Sequence, residues 1–206
     1  LGLSKALNHN SVFDTVSSLF IFTGYAIPSY VAGLILLFFF AVELEWFPLG
    51  GFRSEDFEEY TFFSQVQDQL EHTALPLLAY LSGTFAVMTF LLKNQLLDNF
   101  GMDYAKTAMA KGLSFKQTVK KHVLRNSLIP LATGFGNNLT LLLTGSYLVE
   151  LIFNIDGLGL LGFESLIERD YPVVMGTLVI SSLLLLVGNI LSDICVAIVD
   201  PRIQFK

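Results

Sequence analysis

The chain has 206 residues, 53% of them apolar and only 15% charged, with a formal net charge of −6 and a mean hydropathy of +0.61. A soluble domain carries about 25% charged residues, and a soluble helical protein places its apolar residues in stripes. Here they stand in blocks long enough to cross a bilayer, which excludes an ordinary soluble globule and predicts an all-α polytopic transmembrane helix bundle.

In chain order, the opening GLSKALNHNSVFD carries Lys5, and a first span follows over about 12–42 with the core IFTGYAIPSYVAGLILLFFFAV. Gly24 and Pro28 lie inside it, and proline bends a helix by removing a backbone donor. That bend either lines a pore or is a packing feature tolerated by neighbouring helices. The next connection holds Glu43, Glu45, Glu55, Asp56, Glu58, Glu59, Asp68 and Glu71 against one base, Arg53. Trp46, Phe47, Tyr60, Phe62 and Phe63 sit at a membrane boundary, where aromatic rings partition well.

A second span is predicted over about 73–97, containing Gly83. Beyond it lies a basic connection, about 98–126. With Lys93 at its edge, it carries Lys106, Lys111, Lys116, Lys120, Lys121 and Arg125. A third span, about 127–149, leads to an acidic connection with Glu150, Asp156, Glu164, Glu168 and Asp170. There Gly157, Gly159 and Gly162 predict a tight re-entrant turn. A fourth span, about 171–199, precedes a tail with Arg202 and Lys206. Lysine and arginine concentrate on the cytoplasmic side. The basic connection is therefore expected inside, the acidic ones outside, and both chain termini cytoplasmic; Lys5 and the tail agree. The chain begins at Leu1 with no signal-peptide pattern, which predicts a fragment of a longer protein. Cys195 has no partner for an internal disulfide.

The long polar stretch of the inner side reads DYAKTAMAKGLSFKQTVKKHVLRNSLIP, Asp103 to Pro130. Tyr104 to Lys111 is alanine-rich and favours helix, with Ala105, Ala108 and Met109 on one face. Gly112 supplies the left-handed stop. Ser114 and Gln117 have the spacing of a capping box that opens a second, basic helix. From the residues alone this is either a small-residue helix that seats in a partner's groove or a basic loop obeying the orientation rule.

Chemistry of other kinds is poorly represented. There is no G-x-x-x-x-G-K-[ST] phosphate loop, no His/Cys/Glu group at zinc spacing and no carboxylate pair placed for acid–base work. No cofactor, metal or nucleic-acid partner is expected, and energy must come from a partner or an ion gradient. Asp193 in the fourth span either has a functional role or pairs with a base near the inner interface. Asn137, Asn138, Thr140, Thr144 and Asn189 either line a polar translocation path or hydrogen-bond between helices; the path candidates are Asn137, Asn138, Thr144 and Asn189. A secondary transporter would favour several charges deep in the spans and broken helices at the midplane. A membrane enzyme would need a catalytic group in a span. This chain has few such charges and no convincing catalytic group in a span, so a secondary, ion-gradient-driven transporter stands as the alternative reading.

Several motifs, in order, resemble the oligopeptide/dipeptide branch of the ABC importer permeases, the binding-protein-dependent, MetI-like family. Tyr104, Ala105, Ala108, Ala110, Lys111, Gly112, Leu113 and Ser114 resemble its cytoplasmic "EAA" loop. His122, Arg125, Asn126 and Pro130 resemble the ending of that loop. Lys106 stands where the general pattern has glutamate, as is usual for the peptide branch. GYAIPSY, EWFPLGG, NIDGLGLLGFESLIERDYPVV and VDPRIQF resemble further family segments, and MTFLLKN with WFPLGGF points to the Yej-type peptide and microcin branch. The resemblance implies the C-terminal part of a permease subunit, lacking about two N-terminal helices. It implies a coupling helix over 103–114, a second permease subunit as heterodimer partner, a cytoplasmic ABC ATPase and a periplasmic binding protein. Peptide would cross the bacterial inner membrane; a related family member for nickel or another small solute is the alternative.

Overall fold

The computed structural model describes residues 1–200, and among these the regular structure is helical throughout. The expected DPR tail from Pro201 onward, with Arg202 and Lys206, lies outside the described residues. The helices are α1 (Gly2–Leu7), α2 (Val12–Ala26), α3 (Ser29–Leu36, continued by a π-helical stretch Leu37–Glu43), α4 (Phe62–Phe100), α5 (Asp103–Ala110), α6 (Phe115–Thr118, continued by π-helical Val119–Val123), α7 (Leu124–Ser127), α8 (Ile129–Thr144), α9 (Tyr147–Ile152), α10 (Leu158–Glu168) and α11 (Tyr171–Val199).

Two of these, α4 and α11, are each long and apolar enough to cross a membrane. The α2 and α3 segments pass the same test only when taken together, as one pair bent sharply at a short break. That break contains Pro28, whose fixed φ and missing N–H end the first helix and begin the second. With 39 residues, α4 is roughly 58 Å long at 1.5 Å per residue, well beyond the hydrocarbon core. It starts at Phe62 rather than near Thr73, because FFSQVQDQLEH is helical although polar. The predicted third span is divided. With 16 residues, α8 reaches only about 24 Å and ends at Gly145, whose φ of +76° no other residue adopts cheaply. Residues 147–149 belong to α9 instead. The predicted turn at Gly157, Gly159 and Gly162 is a correction: Gly157 is the N-cap of α10, and the other two lie within that helix.

The chain divides into two compact units. The first comprises Leu1–Phe22, Phe85–Thr140 and the chain from Leu185 on. Its core gathers Ala6, Leu96, Ala105 and Val123, with Leu92, Phe100 and Tyr104 against them. Within it, α8 and α11 cross closely: a Cβ on Gly136 would overlap the Gly188 carbonyl. Ser192 Oγ accepts the Gly136 N–H and donates to the Thr133 carbonyl, both at 2.8 Å. Small residues that let backbones meet, with hydroxyls bonded across the seam, are the usual grammar of helix association in lipid.

The second unit comprises Thr23–Thr84 and Leu141–Leu184. Ala41, Leu75, Ala79, Val149 and Phe153 form its core. The Phe153 ring lies against Gly33, where a Cβ would be 3.0 Å from its edge. The connection before α4 is pinned by polar contacts. Ser54 donates to the buried Asp68 carboxylate from its hydroxyl and from its N–H, the latter at 3.1 Å, and His72 Nδ1 lies 3.0 Å from the Gly51 carbonyl. Asp68 and His72 are therefore structural groups on α4, not part of a free acidic loop.

Candidate functional site

The segment 103–126 folds as its residues predict locally. Asp103–Ala110 is helical, and the backbone turns at Gly112 with φ +94°. Gly112 donates to the Met109 carbonyl at 2.9 Å, and Leu113 donates to the Ala108 carbonyl at 3.2 Å. The capping box forms in both directions: Ser114 Oγ accepts the Gln117 N–H at 3.4 Å, and Gln117 Oε1 accepts the Ser114 N–H at 3.0 Å. Two orphan donors are thereby satisfied at the start of α6.

The faces of α5 differ from expectation. Ala105 and Ala108 are buried, 1% and 8% exposed, while Met109 is on the outside. Ala105 seats α5 on its own chain, in one buried cluster with Ala6 of α1, Leu96 of α4 and Val123, while Ala108 lines the cavity beside the helix. The exposed face of this segment consists of Lys106, Thr107, Met109, Ala110, Lys111 and Gly112. Tyr104 is half-buried and donates its hydroxyl to Asn99 Oδ1 at 2.6 Å, which fixes the start of α5 to the end of α4. Leu113 is half-buried and Ser114 exposed.

Beside the helix lies a cavity of about 710 Å³, lined among others by Tyr104, Lys111, Lys121, His122, Arg125 and Asp200. Arg125 Nε donates to the Val199 carbonyl at 2.6 Å, tying the basic helix to the last turn of α11.

One base of the predicted inner loop is elsewhere. Lys93 is 9% exposed within α4, and its ammonium contacts both oxygens of Asp14 at 2.8 and 2.9 Å. Lys5, read from the sequence as a free orienting charge, is fully buried and lies 3.0 Å from Asp14 Oδ1. Charge counting could not reveal this cluster, since Lys93 is 79 residues from Asp14; the one available signal was a basic residue inside a largely apolar run.

Among the candidate path residues, Asn138 donates to the Gly134 carbonyl of its own helix at 2.7 Å, and Thr144 to that of Leu141 at 3.5 Å. Asn137 and Asn189 are exposed, each adjacent in sequence to a seam glycine. Thr140 is a seam residue, its hydroxyl 2.8 Å from the Gly136 carbonyl. Asp193 is exposed and has no cation beside it among the described residues.

The helices long and apolar enough to cross a membrane fit a membrane-embedded protein, and comparison with known proteins gives its family. The chain belongs to the family of binding-protein-dependent transport system inner membrane components, whose family model matches residues 1–205. It is 44% identical, over its whole length and 57% of the relative, to the inner membrane ABC transporter permease protein YejB of Escherichia coli O157:H7. It is 41% identical, over 89% of its length and 57% of the relative, to the oligopeptide transport system permease protein AppB of Bacillus subtilis (strain 168). It is 35% identical, over 99% of its length and 62% of the relative, to the dipeptide transport system permease protein DppB of Lactococcus lactis subsp. cremoris (strain MG1363). The chain thus spans about three-fifths of the length of these relatives.

Proposed function

We propose that this chain is the C-terminal, membrane-embedded part of a permease subunit of an ATP-driven importer that carries peptides across the bacterial inner membrane. The observation that carries the reading is α5: a short helix anchored to its own chain by buried alanines, with an exposed outer face ending at a positive-φ glycine. A force applied to that face by a neighbouring ATPase would move the floor beneath it, because Ala105 leaves no compressible side chain between them. Peptide as substrate is supported by the oligopeptide and dipeptide permeases among the relatives. The partners proposed are a second permease subunit, a cytoplasmic ATPase that hydrolyses the nucleotide, and a periplasmic binding protein.

In this reading the chain crosses the membrane four times with both termini inside. The α2–α3 pair counts as one broken span, and the stretch over about 127–149, most of it α8, as another. The exposed bases of 106–125 support that orientation. Asn137, Asn138, Thr144 and Asn189 remain the proposed path residues.

The test is Met109→Glu, combined with Lys111→Glu, in the full-length subunit. Both positions are exposed, so insertion and thermal stability should stay unchanged within about 0.5 kcal/mol. Co-purification of the ATPase and peptide uptake should both fall by about tenfold or more, as for loss of a central interface contact. Normal uptake and normal co-purification would remove the coupling assignment.

A further inference from the structure

The core of the first unit joins α5 to α1, and α1 in turn is fastened to α2 and α4 by contacts of a different kind. One side of α1 carries Gly2, where a Cβ would come within 2.9 Å of the Thr89 carbonyl and 3.0 Å of Leu92 Cβ, so α1 rests directly on α4. Ala6 shares one buried cluster with Leu96, Ala105 and Val123. Between them, Lys5 reaches toward α2: its ammonium donates to Ser17 Oγ, Ser18 Oγ and the Asp14 carbonyl, each at 2.8 Å. Asp14, 5% exposed, is shared with Lys93 of α4. The Lys5 ammonium also lies 5.6 Å from the Phe90 ring centroid, and Phe90 stacks on Phe22 at 4.4 Å.

We infer that α1 is the transmission wedge of the permease and that Lys5 is the positioning residue that passes the movement of α5 to α2. The inference rests on the coupling role proposed above for α5. A six-residue helix has little stability of its own, so α1 moves with whatever holds it. Ala6 couples it sterically to α5. Lys5 couples it to the first turns of α2 through directional hydrogen bonds that a buried ammonium cannot leave unmade without a large desolvation cost. When α5 shifts, Lys5 has no water to retreat into and carries Ser17 and Ser18 with it. Asp14 and Lys93 keep the same turn of α2 in register with α4. A packed, hydrogen-bonded chain of this kind is a physical route for coupling.

The experiment uses the full-length permease assembled with its partner subunits in lipid vesicles, with ATP hydrolysis and peptide uptake measured together. Lys5→Met retains the aliphatic stem and removes the donors. The expected result is retained ATP hydrolysis, uptake reduced about tenfold, and partial restoration by Lys5→Arg, in line with coupling changes along a contiguous network. Uptake at the unsubstituted level, or uptake and hydrolysis falling in step, overturns the inference. If Lys5→Met fails to insert, the double variant Ser17→Ala/Ser18→Ala keeps all three buried charges. A lowered ratio of uptake to hydrolysis then supports the wedge, and an unchanged ratio overturns it. Failure of the underlying coupling assignment is distinct: it would appear as normal ATPase co-purification and normal uptake in the Met109→Glu/Lys111→Glu permease, whatever Lys5→Met does.

Discussion

Asp14 and Glu150 are both buried carboxylates, 5% and 6% exposed, and the chain accommodates them by opposite means. Asp14 is neutralised by full charges brought from elsewhere, the ammonium groups of Lys5 and Lys93 at 2.8–3.0 Å. Glu150 is accommodated locally. Its Oε2 accepts the Leu160 N–H at 2.5 Å near the start of α10, where backbone donors point at an anion. Glycines make the room, for a Cβ on Gly145 or on Gly157 would overlap the carboxylate. A charge cluster resists removal of any one member, because the others are stranded. A backbone cradle depends on shape more than on charge.

That contrast can be broken or sharpened by substitution, reading stability from the thermal unfolding of the detergent-solubilised protein. Asp14→Asn should have the largest effect, about 3–5 kcal/mol, since it leaves two ammonium groups buried without a counter-charge. Gly145→Ala should cost about 2–3 kcal/mol, from the positive φ and the collision with Glu150. Much of the collision part should vanish in a Glu150→Ala background, a coupling that a double-mutant cycle measures. Glu150→Gln should cost least, about 1 kcal/mol, because the amide oxygen still accepts the Leu160 N–H. If Glu150→Gln proved as costly as Asp14→Asn, an unseen counter-charge rather than the cradle would hold Glu150.

Local chemistry was readable in the sequence where cause and effect lie within a few residues. Ser114 and Gln117 sit three apart and form the capping box, and Gly112 stops α5. The all-helical class followed from the apolar blocks alone. Readability failed where the cause is remote. Hydropathy placed the start of the second helix near Thr73, yet Asp68 and His72 are held in α4 by Ser54 and Gly51. Periodicity put Ala105, Ala108 and Met109 together, but the two alanines are buried while Met109 is exposed. Lys5 and Lys93 were counted as orienting charges because a charge count does not show that α2 folds Asp14 back onto Lys5, nor that α4 brings Lys93 beside it from 79 residues away. Glu150 was counted with the acidic connection, although the flanking glycines were visible.

Gly112 has no heavy atom within 4 Å of the position a side chain would occupy. It is therefore required for the sign of its φ and not for its lack of bulk, which makes the site a test of handedness alone. A D-alanine placed there by semisynthesis should leave the end of α5 undisturbed, whereas the ordinary L-alanine should strain it by about 1 kcal/mol. The mirror-image residue would also stiffen the joint between α5 and the basic helix, since it has fewer backbone states to explore than glycine. Comparing D-alanine with glycine would separate a joint that must bend from one that only needs to be correctly turned.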